Sequence, residues 1–266
     1  MEKFFNEKGN KLKKILLLFS LFCSFALANE NLKDLFKDYN KSETFIAYDG
    51  KNYYSNDFKK ANKRILPAST FKIFNALIAL NEGVVKDTNE IFYHYKGEKV
   101  FLPSWKNDAN LALAMQRSQL PAYKELARKI GLEKMQKNLN KLNYGNQKIS
   151  KIDEFWIDDS LQISLKEQAS LLFELANLKL DYPKNIQKEI INIIKLNENN
   201  HYEFFAKTGW GKEKYGQIVG FIKDKKTHQI YAFALCMDIS DFNKLYLREE
   251  LAKKYLSYLI NLTHKK

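Results

Sequence analysis

Ile65-Leu66-Pro67-Ala68-Ser69-Thr70-Phe71-Lys72-Ile73-Phe74-Asn75-Ala76-Leu77-Ile78-Ala79-Leu80 is the stretch from which the rest of the chain is read. Proline is tolerated at a helix start but not deep inside one, because it has no N–H and its ring clashes with the preceding turn. From Phe71 the apolar run, broken by Lys72 and Asn75, predicts a buried helix ending at Asn81-Glu82-Gly83. Gly83 is its C-terminal breaker. Ser69 and Lys72 then lie three apart, on one face of the first turn.

A serine hydroxyl attacks only when a neighbouring base takes its proton. A lysine can be that base if burial disfavours its charged form. A helix N-terminus favours a developing oxyanion. The same residues also suit a plain helix cap in a lysine-rich chain, so this stretch alone leaves both readings open.

Upstream, Lys3, Lys8, Lys11, Lys13 and Lys14 precede the apolar run Ile15 to Phe25 and then Ala26-Leu27-Ala28. This is the pattern of a secretory signal, with cleavage expected after Ala28. The apolar run is shorter than the ~20 residues that span a bilayer, so no stable membrane anchor is expected. Bulky Phe22 stands before Cys23, where a lipoprotein site wants a small residue. The expected protein is exported and periplasmic, running from 29 to 266.

Only Cys236 remains after cleavage, so no intramolecular disulfide forms. The net charge is +13, and loss of five lysines and two glutamates with the first 28 residues leaves +10. The lysines are interleaved with acidic residues and read as a solvated surface rather than a nucleic-acid patch. His94, His201, His228 and His264 lack metal-ligand spacing, and no metal is expected.

Thr44 to Tyr48, Asp49-Gly50 and Lys51 to Tyr54 predict a hairpin. Helical segments follow: Leu111 to Met115, Tyr123 to Ile130 stopped by Gly131, Ser164 to Leu178 opened by a capping box, and Lys188 to Leu196. Strands return at Tyr202 to Ala206, Gln217 to Lys223 and Gln229 to Met237, with turns at Gly209-Trp210-Gly211 and Asp224-Lys225-Lys226. Leu247 to Leu262 closes the chain as a helix. The expectation is an α+β fold with an antiparallel sheet from both chain ends (about 29–66 and 202–266), flanking helices and an inserted helical lobe (about 67–201).

Ser69-Thr70-Phe71-Lys72, Ser118, Tyr144-Gly145-Asn146, Trp156 and Lys207-Thr208-Gly209 occur in the order and rough spacing of class D serine β-lactamases, the oxacillinases, which this chain resembles. The resemblance also takes in Trp105 to Asp108, Leu126-Ala127, Ile130-Gly131, Ile163-Ser164 to Glu167-Gln168 and Leu247-Arg248-Glu249. It covers essentially the whole mature chain.

That resemblance implies hydrolysis of small-molecule β-lactams. Ser69 would be the acylated nucleophile. Lys72, carboxylated by carbon dioxide or bicarbonate, would be the general base, with Trp156 supporting the carbamate; no other cofactor is implied. Ser118 would relay a proton. The backbone N–H groups of Ser69 and Trp210 would form the oxyanion hole. Lys207, Thr208, Gly209 and Arg248 would bind the drug, and Phe71, Leu120, Tyr144 and Asn146 would line the pocket.

No E-x-x-L-N segment lies near Trp156, so the separate glutamate base of class A enzymes is missing and deacylation needs another base. The family usually has valine where Leu120 stands, which puts carbamate stability in question. Two rivals remain: a β-lactam sensor that is acylated without turnover, and a small penicillin-binding D,D-peptidase.

Overall fold

The computed structural model describes residues 42–264; the expected signal over 1–28 lies outside them. The chain opens with β1 (Glu43–Tyr48) and β2 (Tyr53–Ser55), a hairpin whose turn is held by Asp49 Oδ1 accepting from the N–H groups of Lys51 and Asn52. It closes with β6 (Tyr202–Gly211), β7 (Tyr215–Asp224), β8 (Ile230–Asp238) and helix α8 (Leu247–His264). With β5 (Lys195–Glu198) these form one antiparallel sheet in the order β2-β1-β8-β7-β6-β5. The first and last strands among the described residues therefore pair, β1 with β8.

Side chains alternate across a strand. Phe45 and Ala47 of β1 join Phe204, Phe233, Tyr255 and Leu256 beneath α8. Ile46, between them, points into the larger core with Val219, Phe221 and Ala234. That core also takes the helices between the sheet's two halves: α1 (Phe58–Ala61), α2 (Lys72–Asn81), α3 (Leu111–Gln116), α4 (Leu120–Ile130), α5 (Leu132–Lys141), α6 (Leu165–Ala176) and α7 (Lys184–Ile193). A small pair, β3 (Arg64–Ile65) with β4 (Ile163–Ser164), ties the start of this insertion to α6.

The structure departs from the sequence reading in four places. Gly209-Trp210-Gly211, expected as a turn, is the end of strand β6, paired with Tyr215 to Gln217; the turn falls at Lys212 and Glu213, whose φ angles are 52° and 51°. Leu196, expected at a helix end, lies in β5, because the backbone past Ile194 finds partners along β6. The helix expected through Leu178 stops at Ala176, and Leu178 itself adopts φ 56°. Finally, α6 packs on β1, β7 and β8, so the middle of the chain supplies a layer of the sheet region rather than a separate lobe alone.

Candidate active site

Ser69, the expected nucleophile, sits on a constrained turn. Ala68 has a left-handed φ of 49°, and a 3-10 turn from Ala68 to Phe71 carries Ser69 into α2. Such a conformation persists only where its surroundings impose it. Three contacts do so: the Thr70 N–H donates to Pro67 O at 3.2 Å, the Thr70 hydroxyl lies 2.7 Å from the same oxygen, and Gln217 Nε2 donates to Leu66 O at 2.7 Å. Strand β6 presses on the turn from the side. A Cβ on Gly209 would stand 3.1 Å from Thr70 Cγ2 and 3.3 Å from Pro67 O, so glycine permits the approach that brings Trp210 beside Ser69.

Lys72 opens α2 and is 1% exposed. Its Nζ lies 2.7 Å from Ser69 Oγ, 3.0 Å from Ser118 O and 3.2 Å from Ser118 Oγ. Burial, and then the charge of Lys207, hold the amine well below the ordinary lysine range. A neutral amine has two hydrogens and one lone pair. As a charged group Lys72 donates to Ser69 Oγ; once deprotonated, with its two hydrogens given to Ser118, it would turn its lone pair to the Ser69 hydroxyl.

Ser118 occupies the bend between α3 and α4 with φ 50°. Its hydroxyl also accepts from Lys207 Nζ at 3.0 Å, so it lies between two amines. Lys207 is buried, and burial with the charge of Arg248 pushes its pKa down to about 7. Arg248, from the first turn of α8, donates to Gly209 O and Leu245 O, both at 2.6 Å; burial pushes its pKa down to about 10. Thr208, Gly209, Trp210 and Arg248 line a cleft of about 820 Å³ whose floor includes Ser69 and Ser118. Lys207 and Arg248, both buried without a carboxylate partner on the cleft side among the described residues, make this corner receptive to an anion.

Of the four expected lining residues, Leu120 alone stands on the cleft wall. Phe71 is fully buried beneath it, edge-on to Tyr144 and Phe155. Tyr144 is likewise buried and packs on Phe71 and Phe74. Asn146 holds a turn: its Nδ2 donates to Ser160 O at 2.7 Å and its Oδ1 accepts from Gln162 N at 2.9 Å. Gly145 fits that turn because its φ is 54° and any Cβ would meet Gln162 O. Tyr144 and Asn146 therefore brace the segment bearing Trp156 instead of touching the cleft. Trp156 is fully buried against Phe71 and Phe155, and its indole N–H has no hydrogen-bond partner among the described residues.

Sequence reasoning missed the cleft's aromatic rim. Phe101, Phe242 and Tyr246 are 64%, 45% and 59% exposed and line the opening with Trp105 and Leu245. Rings run from Trp105 to Phe101 (6.3 Å), to Phe242 (5.9 Å) and to Trp210 (5.6 Å). Their signal, aromatics in polar segments, is visible in the sequence, but nothing there says that three distant segments converge. Among the described residues no helix is long and apolar enough to cross a membrane.

The family model "Penicillin binding protein transpeptidase domain" matches residues 37–257. Beta-lactamase OXA-48 of Klebsiella pneumoniae is 38% identical over 207 residues, 76% of this chain and 77% of the relative. Probable beta-lactamase YbxI of Bacillus subtilis (strain 168) is 37% identical over 230 residues, 85% of this chain and 84% of the relative. Among solved structures, FUS-1 (OXA-85), a class D beta-lactamase from Fusobacterium nucleatum subsp. polymorphum, matches with a TM-score of 0.82 at 42% identity, covering 88% of this chain and 98% of that one. Fold and family match first define a domain of the penicillin-binding transpeptidase type. Within that type, the chain belongs to the class D serine β-lactamases, a family of hydrolases.

Proposed function

We propose that this protein hydrolyses β-lactam antibiotics through an acyl ester on Ser69. The observation that carries the reading is the buried Lys72 amine, its charge suppressed, 2.7 Å from Ser69 Oγ. Lys72 takes the hydroxyl proton as Ser69 attacks the lactam carbonyl. The N–H groups of Ser69 and Trp210 receive the developing oxyanion. Ser118, in contact with both Lys72 and Lys207, passes a proton to the leaving nitrogen. Lys207, Thr208 and Arg248 hold the drug's carboxylate, and Gly209 leaves the backbone close to it.

Deacylation needs a base after Ser69 is esterified. We infer that Lys72 is carboxylated on Nζ and that this group is the general base for acylation and for deacylation alike. The residues fit such a group: Lys72 is buried with its pKa held well below the ordinary range, and Trp156 offers a buried N–H without a partner among the described residues. When bound, carbon dioxide on Lys72 supplies a carboxylate base. Phe71 beneath the site and Leu120 on its wall restrict water, and Leu120 sets how much room remains. We also propose export to the periplasm, on the pattern of residues 1–28.

The test is hydrolysis of a chromogenic cephalosporin by residues 29 to 266, with and without bicarbonate. Turnover should rise with bicarbonate and vanish in Ser69→Ala. Lys72→Ala should retain at most slow acylation, with the adduct trapped and visible by mass spectrometry. Full turnover by Lys72→Ala would sink the carboxylated-lysine mechanism. A single burst by the parent would mean a sensor, and cleavage of D-Ala-D-Ala peptides a peptidase.

A further inference from the structure

Gln119 follows Ser118 and is fully buried, yet it touches no reacting group. Its backbone N–H donates to Ala114 O at 2.9 Å and so closes α3. Its side chain turns away from the Ser118 bend and spends both amide hydrogens on another segment. Nε2 donates to Trp105 O at 3.0 Å and to Asn107 O at 2.8 Å. Gln119 Oε1 is buried without a hydrogen-bond partner among the described residues, and the reversed amide would set that oxygen against two carbonyls.

The tie is reciprocal. Trp105 Nε1 donates back to Arg117 O at 2.9 Å, and Arg117 donates to Asp108 O at 3.1 Å. The segment bearing Phe101 and Trp105 is thereby fastened to the bend bearing Ser118 by bonds that Gln119 anchors from the buried side.

We propose that Gln119 is a specificity-determining positioning residue: it fixes the height of the Phe101–Trp105 wall over Ser69 and so selects β-lactams whose acyl side chain carries an aromatic ring. This rests on the proposed β-lactam hydrolysis. An aromatic side chain gains from the wall only if the rings are already in place. An unanchored wall has to be ordered by each substrate, at an entropic cost that weakens binding. A substrate without that side chain never meets the wall and is indifferent to Gln119.

Gln119→Met keeps length and volume and removes both donors. Gln119→Asn keeps the donors but is one methylene short, and serves if the first variant folds poorly. The probes are benzylpenicillin, which ends in a phenyl ring, and 6-aminopenicillanic acid, which has no acyl side chain. For benzylpenicillin, kcat/KM should fall about tenfold, carried by KM, with kcat within about twofold of the parent. For 6-aminopenicillanic acid, kcat/KM should stay within about twofold. In a Phe101→Ala, Trp105→Ala background the effect of Gln119→Met should disappear.

Equal losses for both substrates, or no loss for either, would overturn the proposal while leaving the hydrolytic reading intact. A parent that opens neither substrate would overturn both together.

Discussion

Lys207 shows how burial makes one residue depend on pH. Its pKa of about 7 lies far below the ordinary lysine range, chiefly because desolvation disfavours the ammonium. If Lys207 holds the drug's carboxylate, the free enzyme binds well below pH 7 and loses that cation as pH rises through 7. kcat/KM should therefore fall on the alkaline side, and Lys207→Arg should flatten that limb because arginine stays charged. Folding carries the opposite sign. The unfolded chain keeps its lysine proton up to the ordinary range, so Lys207 adds stability as pH rises between the two values. Gln217 acts at the same scale. Gln217→Met removes the donor to Leu66 O, loosens the left-handed turn before Ser69, and should lower kcat by about tenfold with little change in KM. Phe221→Leu, farther along β7, should cost stability without that kinetic change.

At the level of elements, α6 carries the clearest local signal. Ser164 Oγ accepts from Glu167 N at 3.1 Å, and Glu167 Oε2 accepts from Ser164 N at 2.8 Å. Arg64 of β3 then grips the same glutamate with Nε and Nη2. Ser164→Ala should cost about 1 kcal/mol in urea unfolding, the usual worth of such a cap. The C-terminal ends of α2 and α4 and the start of α8 were legible because Gly83, Gly131 and periodicity are local, whereas α4 begins at Leu120, ahead of the expected Tyr123. Strand β6 was not, because only its partner β7 explains why Gly209-Trp210-Gly211 stays extended. Strand β5 escaped for the same reason: four exposed residues with no alternation give a sequence reader nothing to count.

Across the whole molecule, two kinds of tie join the sheet to the helical insertion. Lys212 of the β6–β7 turn meets Asp159, near Trp156, at 2.7 Å, but both side chains are well exposed. Exposed pairs are worth little, so Lys212→Ala should change stability by less than about 1 kcal/mol in chemical unfolding. The buried ties matter more: Lys207 reaches Ser118, and Gln217 reaches Leu66. These contacts converge on the cleft, so much of what joins the two parts also builds the site.

By itself the sequence indicated most element types, the sheet drawn from both chain ends, and the placing of Ser69 and Lys72 in one turn, since periodicity, caps and a three-residue spacing are local properties. The resemblance added Ser118, Trp156, Lys207 and Arg248. Tertiary structure alone decided what those residues face. It left Leu120 on the cleft wall, sent Phe71, Tyr144 and Asn146 to the supporting layer, and assembled an aromatic rim from three segments that are not neighbours in the sequence. Burial and long-range pairing are properties of the packed chain: burial and the nearby Lys207 lower the Lys72 pKa, and Gly209 has no room for a side chain, once β6 packs against the Ser69 turn.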